Sequence, residues 1–488
     1  MKNKRLPLFF GIAALFLYSC DLFVDPGNGN RDGGAYPPAS EYKIFRAQNF
    51  LTGSYYNVDA MLLYEGAKCT IWREIASRTS PYAAQTMANT YDNSIYPNMM
   101  SAFGFVEEFP GEDTVVTRNT MEQADYLGDG DGKLCILLLD IRDSYGMNGN
   151  QSYVAGYFWF GNLYSKSTYP DSNESDMIYI DTNPGIPGSE QSNAILAHEM
   201  QHLMNFVTGM VRGRGTMDTW VDEGLSGAAE YVATGKHNEN RIAWYKDDQE
   251  GTIRKGNNFF VWNNYTSSNP MILLDDYSTV YLFFNWLRLQ ASTGIDIFRT
   301  IINSPHSDYR AVTAAAANVI NSGYNNNWPL LLRDWMAANY VNAPSGRYGY
   351  KNDPMLRDIN ARVLSGVAGS SYPLAPGEGI YTQKSTMPGT VANIGYAGLP
   401  SRGSLAAPND LSASGSSALL SYNTNTNRNA LGSPCYPFSV ETGPSLQPDA
   451  GMDMTSVGLS FKRSFSSGPY PISVGEMLRL NGHEELQR

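Results

Sequence analysis

The 488-residue sequence contains few charged residues and only five histidines. Charged residues make up 17% of the chain, against about 25% in an average soluble protein. Acidic residues outnumber basic ones by 47 to 35, which gives a net charge of −12. A surface that binds nucleic acid needs a basic excess, so the composition argues against that class of partner. The longest apolar run is also too short for a membrane-spanning helix, which needs about 20 residues.

The four cysteines are too few for a disulfide framework. Cys20 belongs to an N-terminal segment described below, which leaves Cys69, Cys135 and Cys435 for the body of the protein. An odd number allows one disulfide at most, and export would permit it, because disulfides persist in oxidising compartments. The sequence does not single out a pair. A chain of this length can bury a core without disulfides.

The first nineteen residues have the form of an export signal. Two lysines and an arginine precede an apolar run at residues 6–18, which is the order found in secretory signals. The run ends in Leu-Tyr-Ser-Cys20, which resembles the lipobox of bacterial lipoproteins, although Tyr18 stands where a small residue is usual. That resemblance implies a lipidated Cys20 that anchors the protein in a lipid bilayer. The alternative is an ordinary signal cleaved nearby, which implies a secreted protein.

The rest of the chain divides into three parts by composition. Residues 20–42 are rich in Gly, Pro and Asn and are predicted to form a flexible tether. Residues 43–343 carry strand patterns and then helix patterns, which favours an α+β fold over a doubly wound sheet. Residues 344–488 are rich in Ser, Gly, Pro and Asn, with β-prone runs at 416–422 and 457–461. This last part is predicted to be a separate β-rich domain.

Local patterns predict the order of elements within residues 43–343. Strands are expected at 54–74 (one or two), 133–141, 152–160 and 176–182. A helix or a broken pair of helices is expected at 81–103. Further helices are expected at 190–208, 219–234, 276–290, 309–321 and 328–341.

The motif that carries chemistry is His198-Glu199-Met200-Gln201-His202. Residues four apart share one face of a helix, so the two imidazoles can bind the same metal ion. Glu199 lies beside that face and can act as a general base toward water. The alternative is a helix whose histidines and glutamate face solvent. The helix is expected to end near Thr208 and Gly209.

A second motif decides between these interpretations. Zinc held by two histidines needs a third protein ligand, and Glu223 follows His202 after 20 intervening residues, which is enough for a second helix to return to the metal. The segments "AHEMQHLMNF" and "WVDEGLSGAAEY" resemble the gluzincin metallopeptidases, and the hyicolysin-type secreted enzymes in particular. The resemblance implies a zincin-like catalytic domain with a twisted N-terminal sheet, an active-site helix and a helical subdomain. It also implies Zn²⁺ ligands at His198, His202 and Glu223, with Glu199 as catalytic base and acid.

Other family positions are less well matched. Where the thermolysin pattern has an Asp four residues after the third ligand, this chain has Gly227, so Glu230 or Asp222 is the candidate to orient a histidine. The segment "DDYSTVYLFFNWL" resembles the family's tyrosine-bearing helix, which favours Tyr277 as the residue that stabilises the oxyanion. The other candidates for that role are Tyr281 and His237.

Two further segments carry alternatives. "VAGYFWF" resembles the family's edge strand, which makes Ala155, Gly156 and Tyr157 candidate contacts for a substrate backbone. An ordinary core strand explains the same residues. Three aspartates in "ADYLGDGDGKL", namely Asp125, Asp129 and Asp131, resemble a calcium loop, but the bidentate Glu of an EF-hand is missing. A polar turn before the next strand is the simpler interpretation.

Taken together, these patterns predict a zinc-dependent endopeptidase that hydrolyses proteins or peptides outside the cytoplasm. The alternative is a surface-exposed binding protein or adhesin on a zincin scaffold, with little or no peptidase activity. The presence of Glu199 beside the metal-binding face argues for the enzyme, because a protein that only binds needs no base there.

Overall fold

The computed structural model describes residues 41–111, 114–147, 153–247, 259–260, 262, 272–363, 372–383, 392–404, 411, 417–427 and 433–435. The expected signal, Cys20 and nearly all of the tether lie outside these residues, as does the run at 457–461. Within them a sheet comes first, helices follow and short strands come last. This arrangement confirms the α+β class and the β-rich character of the C-terminal region.

Six strands form the N-terminal sheet: β1 (Tyr42–Gln48), β2 (Tyr55–Glu65), β3 (Cys69–Glu74), β6 (Leu134–Leu139), β7 (Gly156–Phe158) and β8 (Met177–Asp181). Their spatial order is β1-β2-β3-β6-β8-β7, so β7 is an edge strand. The central strands β3, β6 and β8 are parallel, and the outer pairings are antiparallel. A separate hairpin consists of β4 (Val106–Pro110) and β5 (Val115–Asn119).

The middle of the sheet is buried on both faces. Every residue of β6 is buried, as its continuous apolar sequence predicts. Ile136 belongs to the core that the helices cover, and Leu137 belongs to a second core rich in aromatic side chains. Cys69 lies in the first core and Cys135 in the second, so these cysteines are on opposite faces of the sheet. Both are free thiols, and they do not form the disulfide that the sequence permitted.

Ten α-helices lie in the described residues: α1 (Pro81–Thr90), α2 (Tyr96–Phe103), α3 (Thr120–Leu127), α4 (Glu190–Arg212), α5 (Thr219–Thr234), α6 (Glu239–Asp247), α7 (Ile272–Gln290), α8 (Asp296–Ile302), α9 (Tyr309–Val319) and α10 (Trp328–Val341). A π-helical turn at Tyr91–Ile95 joins α1 to α2, so the segment predicted as a helix or a broken pair is interrupted. Short elements such as α3, α6 and α8 were not predicted. None of the helices described is both long and apolar enough to cross a membrane.

Helix α4 carries the HExxH motif and is longer than predicted. Ser189 caps its first turn by accepting a hydrogen bond from the backbone N–H of Ser192 (3.2 Å). The expected end near Gly209 is wrong, because the helix continues to Arg212 and ends at Gly213, whose φ is 64°. Gly209 instead allows close packing, since a Cβ there would overlap the carbonyl oxygen of Gly215.

Helix α5 packs between α4 and α7. Gly224 permits this approach, because a Cβ at that position would overlap the ring of Phe284 on α7. Near the start of α5, the Trp220 ring packs against Phe283 and Trp328. These contacts fix the position of α5. Glu223, which lies between Trp220 and Gly224 in the sequence, faces α4 as a result.

The C-terminal strands share a core with the helices. A three-stranded sheet contains β10 (Gly379–Gln383), β12 (Ala418–Asn423) and β11 (Ile394–Leu399), and β9 (Tyr372–Leu374) pairs with β13 (Ser433–Cys435). The Tyr381 hydroxyl donates to the carbonyl oxygen of Met336 on α10 (2.9 Å). Tyr381 and Leu420 belong to the same core as the helices. The domain boundary after residue 343 stays a prediction.

The substitution Gly224→Ala should lower the melting temperature, because the new methyl group has no room beside Phe284. Overpacking a core costs about 1–3 kcal/mol, which corresponds to a fall of roughly 2–12 °C for a large domain. The matched control is Gly227→Ala on the same helix, where the new Cβ would lie 3.3 Å from the Tyr281 ring and alanine favours the helix. Equal melting temperatures for both variants in scanning calorimetry would contradict this account of the packing.

Candidate metal centre

Two histidines and a glutamate converge in the interior. His198 and His202, one turn apart on α4, are 0% and 3% exposed. Glu223 of α5 faces both, with its Oε2 atom 3.4 Å from His198 Nε2 and 3.8 Å from His202 Nε2. One possible ligand atom from each of the three residues lies within 4.8 Å of the other two. The three residues that the sequence predicted as ligands are therefore one cluster in space.

The facing atoms of this cluster have no hydrogen-bond partner. His198 Nε2, His202 Nε2 and Glu223 Oε2 are buried and unpaired. An unpaired buried polar atom costs free energy, so three of them at one point require an explanation. Two imidazole nitrogens and one carboxylate oxygen are a ligand set that leaves a coordination position open. These residues fit a bound metal ion.

A second carboxylate supports each histidine from the opposite side of its ring. Glu230 Oε1 lies 2.9 Å from His198 Nδ1, and Asp222 Oδ2 lies 3.0 Å from His202 Nδ1. Because each carboxylate accepts a hydrogen bond from Nδ1–H, the lone pair of each Nε2 is directed toward Glu223. The sequence left Glu230 and Asp222 as alternatives, and the structure places one of them on each histidine.

Glu230 is itself held by residues that the sequence did not indicate. Glu223 and Glu230 are seven residues apart on α5, nearly two helical turns, so both point toward α4. The side-chain amide of Asn238 donates to Glu230 Oε2 (2.7 Å), and Arg241 lies 3.7 Å from Oε1. Asn238 and Arg241 were missed because they lie beyond both motifs and no sequence spacing links them to the histidines.

The surrounding carboxylates favour positive charge at the cluster. Burial alone would lower the pKa of His198, but the neighbouring carboxylates of Glu223 and Glu230 raise it to about 10. Burial would raise the pKa of Glu230, but the contact with His198 brings that pKa below its usual value. A site that holds a proton this strongly also attracts a metal cation, which displaces the proton when it binds.

Glu199 lies beside the cluster without joining it. Its Oε2 atom accepts a hydrogen bond from the backbone N–H of Phe158 on β7 (3.1 Å). Its Oε1 atom is buried and has no hydrogen-bond partner. Burial raises the pKa of Glu199 to about 7, which is the range in which a carboxylate can both accept and return a proton near neutral pH.

The structure separates the three candidates for oxyanion stabilisation. The buried Tyr277 hydroxyl donates to Glu223 Oε1 (3.1 Å). The Tyr281 hydroxyl instead lies 3.0 Å from His237 Nδ1 and accepts from the backbone N–H of Asn238 (2.8 Å). Among the hydrogen bonds of the described residues, Tyr277 is therefore the candidate that contacts the cluster, and Tyr281 and His237 contact each other.

The backbone groups that face outward on the edge strand differ in part from the candidate contacts that the sequence indicated. The carbonyl oxygen of Ala155 accepts a hydrogen bond from the backbone N–H of Asp181 (3.0 Å), so the backbone of Ala155 points to β8 and not outward. Tyr157 has the same orientation, because alternate residues of an antiparallel strand face the partner strand, and its ring stacks on Tyr179 at 4.1 Å. The outward backbone groups are those of Gly156 and Phe158, and Phe158 was not predicted.

A cavity of about 270 Å³ lies beside Glu230, and the three candidate ligands and Glu199 are not among the residues that line it. Ala194 and Ile195 of α4 line one part of it, and Glu230 lines another. The backbone of β7 packs closely on this part of α4, because a Cβ at Gly156 would lie 2.8 Å from Ile195 Cγ2.

The substitution Glu230→Gln should weaken metal binding by roughly 10–100-fold. A neutral amide is a weaker acceptor for the Nδ1–H of His198, so it stabilises the tautomer with a free Nε2 lone pair less well. Competition with a chromogenic chelator measures the affinity. Glu190→Gln, at the exposed start of the same helix as His198, is the control and should leave the affinity unchanged. The same affinity in Glu230→Gln and the unaltered protein would contradict the supporting role of Glu230.

No family model matches the chain. The chain is similar to ShpI, a neutral metalloprotease of Staphylococcus hyicus. The two are 26% identical over 337 residues, which cover 67% of this chain and 68% of the relative. Together with the cluster of His198, His202 and Glu223, this similarity supports a metallopeptidase.

Proposed function

We propose that this protein is a zinc-dependent endopeptidase related to the hyicolysin-type gluzincins. The observation that carries the proposal is the convergence of three unpaired donor atoms, on His198, His202 and Glu223, beside the unpaired Oε1 of Glu199. A purely structural metal site is closed by its ligands and has no use for a buried carboxylate beside it. The similarity to a neutral metalloprotease supports the same activity.

His198, His202 and Glu223 would hold the zinc ion, which supplies a Lewis acid that polarises the scissile carbonyl and acidifies water. Glu199 accepts a proton from the attacking water at Oε1 and then donates it to the nitrogen of the leaving amine. The hydrogen bond from Phe158 to Oε2 keeps the carboxylate in position during both transfers. A pKa of about 7 suits this exchange.

We assign oxyanion stabilisation to Tyr277. Its hydroxyl is buried beside Glu223, and a donor in a dry site stabilises developing negative charge more strongly than one in water. The outward backbone groups of Gly156 on β7 would pair with an extended substrate, as an added strand does at a sheet edge. Ala155 is not needed for this contact, because its carbonyl oxygen is already hydrogen-bonded to β8.

The place of action follows from the N-terminal sequence. The basic and apolar segment before Cys20 supports export, and the lipobox-like end of that segment supports a lipid anchor at Cys20. The proposed substrates are therefore proteins or peptides outside the cytoplasm, reached either from a membrane surface or, if the signal is cleaved without lipidation, in solution.

The substitution Glu199→Gln should preserve bound zinc and reduce turnover by roughly 10²–10⁴-fold, because glutamine cannot accept a proton. His198→Ala provides the contrast, since it should lose the metal as well as the activity. Casein hydrolysis and elemental analysis measure the two properties. Casein hydrolysis by Glu199→Gln at the parent rate would exclude the mechanism. Unaltered protein that binds zinc but shows no chelator-sensitive cleavage would favour the surface-exposed binding protein.

The substitution Tyr277→Phe should lower kcat by about 10²–10³-fold with little change in KM, which is the effect of removing one oxyanion donor. The control is Tyr281→Phe on the same helix, whose hydroxyl contacts His237 and Asn238 instead of the cluster. Its kcat should stay within a few-fold of the parent value. Equal kcat values for the two variants in a peptide assay would contradict the assignment to Tyr277.

A further inference from the structure

An acidic turn lies between α3 and β6. Asp125 is near the end of α3, and Asp129 and Asp131 follow in the turn. One carboxylate oxygen from each lies within 4.8 Å of the other two. Gly130 and Gly132 allow this conformation, because their φ values are 72° and 83°. Exposed acidic turns are common, so this cluster needs independent support before it indicates an ion.

Backbone hydrogen bonds orient two carboxylates of the turn without neutralising their negative charge. Asp125 Oδ1 accepts from the backbone N–H of Gly132 (2.8 Å), and Asp131 Oδ1 accepts from that of Lys133 (2.8 Å). The ammonium group of Lys133 is paired with Glu65 on β2. Among the ion pairs of the described residues, none joins a lysine or arginine to the three aspartates.

Asp176 supplies the independent observation. It immediately precedes β8, is 1% exposed, and its Oδ1 atom has no hydrogen-bond partner. Strand alternation turns its side chain to the same face of the sheet as Ile178, which is the core that Ala124 of α3 also joins. The backbone of Asp176 packs against Gly128 at the start of the acidic turn, because a Cβ at Gly128 would overlap the backbone nitrogen of Asp176.

Four acidic side chains therefore lie close enough for their negative charges to repel one another. Burial raises the pKa of Asp176 well above its usual value, and the charges of Asp129, Asp125 and Asp131 raise it further. Burial also raises the pKa values of Asp125 and Asp131. Because these pKa values are raised in the folded state, ionisation near neutral pH lowers the stability of the protein unless a cation is present.

We propose that Asp125, Asp129 and Asp131 bind a calcium ion close to the buried carboxyl group of Asp176. Calcium accepts six to eight oxygen ligands in flexible geometry, whereas magnesium requires a nearly ideal octahedron and keeps several waters. An irregular group of carboxylates suits the larger ion. The three grouped oxygens come from Asp125, Asp129 and Asp131, and Asp176 adds a further buried negative charge nearby.

Calcium should stabilise the full chain without acting through the zinc site. Protein that has been passed over a chelating resin and reloaded with zinc is melted with increasing calcium chloride, and separately with magnesium chloride. We expect calcium to raise the melting temperature by several degrees, because it binds only the folded state, and magnesium to raise it by less than half as much. No response to calcium would overturn the proposal, whatever the peptidase activity.

Substitutions locate the effect. The double variant Asp129→Asn/Asp131→Asn should lose the calcium-dependent shift, and the control Asp358→Asn, at an exposed carboxylate elsewhere, should keep it. Without calcium, Asp176→Asn should melt above the parent near neutral pH, because it removes a buried carboxyl group whose ionisation destabilises the folded state. An undiminished shift in the double variant would place the ion elsewhere and overturn the proposal.

Terbium provides a direct measure of binding. This ion replaces calcium in oxygen sites, and its luminescence is sensitised by nearby tyrosines such as Tyr126, which adjoins Asp125. The parent should show a saturable signal that calcium displaces, and the double variant should lose it. The same calcium-displaceable signal in both proteins would contradict the assignment to these aspartates.

Discussion

The contact between α4 and α5 places three carboxylates of one helix around two histidines of the other. Glu223 faces both Nε2 atoms, and Glu230 and Asp222 each hold one Nδ1 atom. Buried charges destabilise a protein unless they are paired, and this group carries more acidic than basic side chains. The packing of the two helices is therefore tied to the presence of a cation, and the rest of the centre is arranged around it.

The sheet contributes to the same site through its edge. Phe158 of β7 donates a hydrogen bond to Glu199, so the proposed base is positioned by a strand and the proposed metal ligands by helices. Gly156 makes this possible by allowing β7 to pack on Ile195. On the other side, the small surface of Gly224 allows α7 to approach, which brings Tyr277 to Glu223. The residues proposed to bind the metal and to act in catalysis thus come from α4, α5, α7 and β7.

Helical periodicity explains why much of the fold and part of the site could be predicted. The helices at 219–234 and 328–341 were predicted with the bounds that the structure shows, because capping and apolar spacing are local properties. The end of α4 was placed too early, because Gly209 was taken as a terminator. Its function is a close tertiary approach to Gly215, which no local pattern reveals.

The sequence by itself determined that His198 and His202 share one helix face, that Glu199 lies beside it and that a second helix carries Glu223. These are consequences of spacing along a single chain. Only the tertiary structure decided that Glu230 belongs to His198 and Asp222 to His202, that Phe158 orients Glu199, and that Asp176 packs beside the acidic turn. Those partners are separated by 20 to 51 positions, and whether they meet depends on how helices and strands pack, which no periodicity within one element encodes.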